Sequence, residues 1–214
     1  MSISWDLDGT FADTSVDLAQ ALNRTRLEKG MAELPVSDVA RHVGRGARWL
    51  VSNCLDPGLG EAELEDTVGR FLDHYLEGCS ETTHAYPGVL EYSQALRSAG
   101  IKQALATNKP RRFTERILDD LKWWQYFDSV HCGDDGLAKP DPEMLNLCME
   151  RLGAQASAHL HIGDTPTDQA AASAASCLFL GVSWGMDGGE GLTAQGTEPL
   201  FADLPSLAVH LESF

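Results

Sequence analysis

The sequence predicts an α/β protein, a parallel sheet forming the core and a small all-helical segment inserted after its first strand. Three observations carry this. A short strand-compatible run, Ser2-Ile3-Ser4-Trp5, gives way at once to Asp6-Leu7-Asp8-Gly9-Thr10, a glycine turn bearing two carboxylates. From about residue 14 to 80 every periodic segment is helical. From Tyr86-Pro87-Gly88 onward strand and helix patterns alternate, as crossover connections between parallel strands require.

Within the helical segment, Ala47, Leu50, Val51, Cys54 and Leu55 repeat at helical spacing, and so do Leu64, Val68, Phe71, Leu72 and Tyr75. After the Tyr86-Pro87-Gly88 break a helix is expected over 88–99, stopped by Gly100, and a buried strand over 101–106. A helix over 111–121 and a strand over 127–132 follow. Leu145, Cys148 and Leu152 share one face of a helix over 142–152 that Gly153 ends. A strand over 160–162, an alanine-rich helix over 166–175 and a last strand over 178–182 complete the alternation. Residues 185–198, rich in glycine, read as an irregular loop near the site.

Composition narrows the function. With 214 residues, 43% of them hydrophobic and 22% charged, the chain can bury one large core or one core with an insertion. A formal net charge of -16 argues against binding a nucleic-acid backbone, and no apolar run approaches a membrane span. The five cysteines, Cys54, Cys79, Cys132, Cys148 and Cys177, are odd in number and lack metal-type spacing, so they read as reduced, buried thiols. No basic region followed by an apolar stretch opens the chain. A cytoplasmic protein, a monomer or homodimer, is expected.

Chemistry gathers at the ends of the strands. In an open parallel sheet ligands bind outside the carboxyl ends of the strands, so Asp6 and Asp8 stand at the rim of a crevice, where two like charges call for a cation or a raised pKa. Thr107-Asn108-Lys109-Pro110 ends the strand over 101–106, and its hydroxyl, amide and free N–H groups suit an anionic oxygen. In Lys139-Pro140-Asp141-Pro142 the acid and the second proline fit a helix start, whereas Lys139 has no capping role and offers an ammonium to a phosphate. Gly163-Asp164-Thr165-Pro166-Thr167-Asp168 contains a capping box, Thr165 to Asp168, with Pro166 at the first helical position. That leaves Asp164 free to join Asp6 and Asp8. Three carboxylates with no His/Cys cluster favour Mg2+ over zinc. The seven histidines, His159 and His161 among them, read as structural or surface residues.

In order, DLDGT at 6–10, Thr107, Lys139 and GDTPTD at 163–168 resemble the four motifs of the haloacid dehalogenase superfamily, and the helical insertion is similar to its cap domain. The resemblance implies a Rossmann-like core over 1–13 and 82–214 and a helical cap over 14–81. Asp8 and Lys139 point to the phosphatase branch. Asp13-Thr14, Val43-Gly44-Arg45-Gly46-Ala47 and the KPDP at 139–142 resemble the phosphoglycolate phosphatases; Trp5 and Phe11 replace the Phe and Leu usual there. The resemblance implies that Asp6 attacks phosphorus to form an aspartyl-phosphate while Asp8 serves as general acid and then base. Thr107, Asn108 and Lys139 would bind the transferring phosphoryl group. Mg2+ would be held by Asp6, the backbone carbonyl of Asp8 and Asp164, with Asp168 orienting the shell.

The substrate is then a small phosphorylated metabolite chosen by the cap. Arg45, in its GxG turn, is a candidate reader of a substrate carboxylate, and a simply exposed arginine is the competing reading. A superfamily phosphatase for a sugar phosphate, a cell-wall sugar phosphate or pyrophosphate shares every core motif. A non-enzymatic phospho-acceptor module of the receiver type also clusters aspartates, a hydroxyl and a lysine around Mg2+. A dinucleotide-binding dehydrogenase is excluded, because residues 6–10 lack the GxGxxG fingerprint.

Overall fold

The computed structural model describes residues 1–55, 60–136 and 138–211. It opens with β1 (Ser2–Trp5), all four residues buried, as expected of a strand flanked by others and covered on both faces. Side chains alternate along it, so Ile3 and Trp5 enter the larger apolar core and Ser2 and Ser4 face the other way. After the glycine turn comes β2 (Ala12–Asp13). Phe11 just before it packs against Trp5, Trp123 and Phe127, with ring centroids 5.9, 5.6 and 4.9 Å away. The unusual Trp5 brings a buried N–H, and Gln103 Oε1 accepts its hydrogen bond at 3.0 Å.

Four helices follow without a strand between them: α1 (Ser15–Glu28), α2 (Val36–Ala40), α3 (Ala47–Cys54) and α4 (Glu61–Gly78). The stripes expected over 47–55 and 64–75 are the buried faces of α3 and α4, through Leu50, Val51, Phe71 and Tyr75. β3 (His84–Ala85) then pairs antiparallel with β2, a two-strand ribbon at the base of this cap. Asp17 of α1 anchors the return, since its buried carboxylate accepts the backbone N–H and hydroxyl hydrogen bonds of both Thr82 and Thr83.

From there the alternation runs as expected through α5 (Val89–Ser98), β4 (Lys102–Thr107), α6 (Arg111–Asp120), β5 (Ser129–Cys132), α7 (Glu143–Leu152), β6 (His159–Gly163), α8 (Pro166–Ala174) and β7 (Leu178–Val182). Gly153 ends α7 in the left-handed conformation at φ 68°. The capping box of α8 is formed by Thr165 and Asp168 with Pro166 in the first turn.

Two expectations fail at the C-terminal end. The strand over 178–182 is not the last, because β8 (Leu200–Phe201) pairs outside it and is followed by α10 (Leu204–Leu211). Residues 185–198 are not wholly irregular, since α9 (Glu190–Ala194) lies within them. Two-residue strands such as β2, β3 and β8 are too short to show a period of two, so only their partners reveal them. The finished sheet has the order β5-β4-β1-β6-β7-β8, every pair parallel. No helix among the described residues is long and apolar enough to cross a membrane.

Candidate active site

Because β4, β1 and β6 are neighbours, their carboxyl ends bring Thr107, Asp6 and Asp164 to one place. The Asp6 backbone N–H continues the ladder by donating to the Ile162 carbonyl at 2.9 Å, which fixes where its side chain leaves the sheet. Lys139 reaches in from the loop between β5 and α7, its side chain 2% exposed, and Asp168 from the first turn of α8. The Lys139 ammonium donates to Asp6 Oδ1 at 2.8 Å, to Asp168 Oδ1 at 2.6 Å and to the Ala106 carbonyl at 2.6 Å. All three of its protons are used.

Burial sets the electrostatics. It pushes the Asp6 carboxyl up to about 7, against the attraction of Lys139, and it pushes Asp164 well above the ordinary range with Asp6 and Asp168 adding repulsion. Burial also disfavours an ionised Asp168, but Lys139 and the His161 hydrogen bond outweigh it and hold that carboxyl below its usual value. For Lys139 the carboxylates outweigh burial and raise its pKa, so it stays an ammonium.

Asp6, Asp164 and Asp168 each offer an oxygen within 4.8 Å of the others. Asp164 is oriented by the Thr10 hydroxyl at 3.0 Å and the Met186 N–H at 3.2 Å. It lies in a cradle that only glycine permits: a Cβ on Gly9 would stand 2.1 Å from its Oδ2, and one on Gly185 2.3 Å away. Three buried oxygen donors whose mutual repulsion a cation would relieve fit a hard divalent ion.

Asp8 stands apart from this group. Its side chain pairs with the buried Lys109 ammonium, at 2.7 and 2.9 Å from its two oxygens, and accepts from the Thr14 hydroxyl at 2.5 Å. Asp6, Asp8, Thr107, Asn108 and Lys109 face a cavity whose cap side is apolar, with Leu50, Phe71 and Leu72 among its walls. Tyr75 also lines it; among the described residues its buried hydroxyl makes no hydrogen bond of sound geometry, although the Lys109 ammonium lies 4.8 Å from its ring centre. Asn108 spends its amide protons on the carbonyls of Lys139, at 2.8 Å, and Gly44, at 3.2 Å, which braces core to cap. Arg45 is not brought to the site. It is exposed, with its guanidinium 3.9 Å from the centre of the Trp49 ring, and it does not line the cavity.

The family model for haloacid dehalogenase-like hydrolases matches residues 3–182, from β1 to the end of β7. The chain belongs to that family. Among its relatives, a phosphoglycolate phosphatase of Pseudomonas putida is 35% identical over 211 residues, covering 96% of this chain and 77% of its own. Another, from Photobacterium profundum, is 34% identical over 203 residues, 92% of this chain and 89% of its own. The crystal structure of a predicted phosphoglycolate phosphatase from Haemophilus somnus superposes with a TM-score of 0.86 at 26% identity, covering 94% of this chain and 93% of that one.

In this hydrolase, three residues of the site have no role that the sequence motifs assign. Lys109 carries a readable signal, a lysine just past a strand end that the local structure does not need, as Lys139 is a lysine that no helix cap needs. Tyr75 had none, because it lies on the apolar stripe of α4 and reads as core. Gly185 sits in a glycine-rich loop, and only the nearness of Asp164 distinguishes it.

Proposed function

We propose that this hydrolase is a Mg2+-dependent phosphatase that works through an aspartyl-phosphate on Asp6, with 2-phosphoglycolate as its substrate. What supports the reading most is a buried carboxylate, Asp6, 2.8 Å from the Lys139 ammonium, beside a second, separately held carboxylate, Asp8. That is a nucleophile with charge compensation and an acid–base group of its own. Asp6 attacks phosphorus in line, and the bond from phosphorus to the ester oxygen breaks. Asp8 takes up a proton from solvent when Lys109 leaves it, gives that proton to the ester oxygen, and regains one from the water that frees phosphate from Asp6. To do so it exchanges Lys109 for the substrate as the cap, residues 14–81, closes on the core, residues 1–13 and 82–214, about the β2–β3 ribbon.

Thr107 and Lys139 bind oxygens of the transferring group, where charge must be stabilised. Mg2+ would be held by Asp6, Asp164 and the Asp8 carbonyl, with Asp168 orienting them, and when bound it neutralises charge on the phosphoryl oxygens. The names of the relatives support a carboxylate-bearing leaving group. Among the described residues lining the cavity Lys109 is the only cation, so Lys109 and the Tyr75 hydroxyl receive that carboxylate.

Phosphate release with Mg2+ tests this, comparing 2-phosphoglycolate, a sugar phosphate and 4-nitrophenyl phosphate. Wild type is expected to reach a kcat/KM of about 10⁴ M⁻¹s⁻¹ or more on 2-phosphoglycolate, and Asp6→Asn to abolish it. Tyr75→Phe should raise KM for that ester about tenfold, the worth of a hydrogen bond to a charged group, and leave KM for 4-nitrophenyl phosphate unchanged. Activity on the sugar phosphate alone would overturn the substrate and leave the phosphatase standing.

A further inference from the structure

On the sheet face opposite Trp5, β1 and β6 carry four polar side chains where apolar ones would pack. β1 and β6 pair with Ser2 opposite His159 and Ser4 opposite His161, and all four are buried, both histidines 0% exposed. They touch in sequence. Ser2 Oγ lies 2.7 Å from His159 Nδ1, Ser4 Oγ lies 3.0 Å from His159 Nε2 and 2.9 Å from His161 Nδ1, and His161 Nε2 lies 3.1 Å from Asp168 Oδ1. An unbroken line of hydrogen bonds thus runs through the core to the carboxylate that holds Lys139.

The direction of each bond follows from the last one. Asp168, ionised beside Lys139, can only accept, so His161 Nε2 carries the proton. The ring is 0% exposed and shares Oδ1 with the Lys139 ammonium, which already balances the charge of that carboxylate, so the imidazole is neutral, with one donor and one acceptor. Nδ1 of His161 therefore accepts, and the Ser4 hydroxyl donates to it. With its one proton spent, Ser4 Oγ accepts from His159 Nε2–H, and His159 Nδ1 accepts from the Ser2 hydroxyl. One acceptor-only carboxylate orders all four groups head to tail, every proton pointing at Asp168, and aligned bonds of this kind strengthen one another.

We propose that His161 is a positioning residue of the phosphoryl-transfer site, held in its Nε2–H tautomer by the Ser2-His159-Ser4 chain so that Asp168 keeps Lys139 on Asp6. This rests on the reaction proposed above. The two oxygens of Asp168 divide the work. Oδ2 takes the Thr165 N–H and hydroxyl in the capping box, while Oδ1 takes Lys139 and His161. Without the imidazole, Oδ1 keeps only Lys139 as a partner, and the carboxylate can turn about its Thr165 contacts and draw Lys139 off Asp6.

Two measurements decide. In histidine labelled with ¹⁵N, long-range proton–nitrogen spectra of the intact protein should show both His159 and His161 as neutral Nε2–H tautomers. In Ser4→Ala, His161 should lose that single tautomer. His161→Leu should lower kcat about 10- to 100-fold, the usual cost of losing a partner of a site carboxylate, with KM little changed. His161→Gln, whose amide N–H reaches about where Nε2 stands, should recover most of it. An Nδ1–H tautomer or an imidazolium at either histidine in wild type overturns the chain. A folded His161→Leu with wild-type kcat, or a His161→Gln as slow as His161→Leu, overturns the positioning role. If wild type cleaves no phosphate ester, the positioning role falls with the proposed reaction, while the ring-nitrogen spectra still decide the order of the chain.

Discussion

Substituting Gly185 with alanine tests whether Asp164 has the one position the site can use. The added Cβ would stand 2.3 Å from Asp164 Oδ2, 2.4 Å from the Gly9 carbonyl oxygen and 2.6 Å from Asp164 Cβ. Ordinary contact begins at 3.4 Å, so the carboxylate or the loop has to retreat by about 1 Å. Two of the three obstructing atoms belong to a buried side chain already bonded to Thr10 and Met186, and the third is backbone. Nothing nearby can yield cheaply. A group misplaced by about 1 Å costs about 100-fold in rate, which corresponds to about 2.7 kcal/mol. The assay is Mg2+-dependent phosphate release, with Mg2+ affinity from isothermal calorimetry and thermal unfolding to verify the fold. Gly185→Ala should lose both rate and metal affinity. A folded variant with wild-type rate and affinity would refute the reasoning, since Asp164 would then be either mobile or irrelevant.

Three further outcomes follow from the same geometry. Gly69→Ala lies on the exposed face of α4 with nothing within 4 Å of the new Cβ, so thermal unfolding should show a gain of about 1 kcal/mol from helix propensity with activity unchanged. Arg45→Ala removes a guanidinium resting on Trp49 outside the cavity, so KM for 2-phosphoglycolate should stay at the wild-type value; a selective rise would restore Arg45 as the carboxylate reader. In protein stripped of metal, the pKa of Asp6 is raised from 3.8 to about 7 and that of Asp164 is raised as well, so the native state binds more protons than the unfolded chain between about pH 4 and 7. Stability then falls as pH rises through that window. The depressed Asp168 acts oppositely and only below about pH 4, where its contribution is lost as pH falls. The Tm in chelator should therefore drop on going from about pH 5 to 7.5, and added Mg2+ should raise it most at the upper end. A flat or rising profile in chelator would contradict the burial of these carboxylates.

Much of this was legible in the chain itself. Period and punctuation located the helical insertion, the alternation after Tyr86 and the capping box at Thr165, because each is a local device whose residues lie within a few positions of one another. Asp6, Thr107, Lys139 and Asp164 were also legible. Asp6, Thr107 and Asp164 stand at strand ends and Lys139 just before a helix, each carrying chemistry that the local structure does not use. The ribbon of β2 with β3 was not, since Ala12–Asp13 and His84–Ala85 define each other only as a pair.

What the sequence determined by itself was the fold class and the kinds of groups at the site, since both depend on local pattern and on the succession of elements along the chain. What only the tertiary structure decided was which group each of them meets. Lys109 takes Asp8 and Lys139 takes Asp6 because the sheet sets β4 beside β1 and the loop after β5 folds back over both. His161 meets Asp168 because β6 turns directly into α8, and it is tied to Ser4 because β1 lies alongside. Arg45 was left on Trp49. Coulombic and hydrogen-bond energies fall off within a few ångströms, so partners separated by a hundred residues become specific only when the chain has packed.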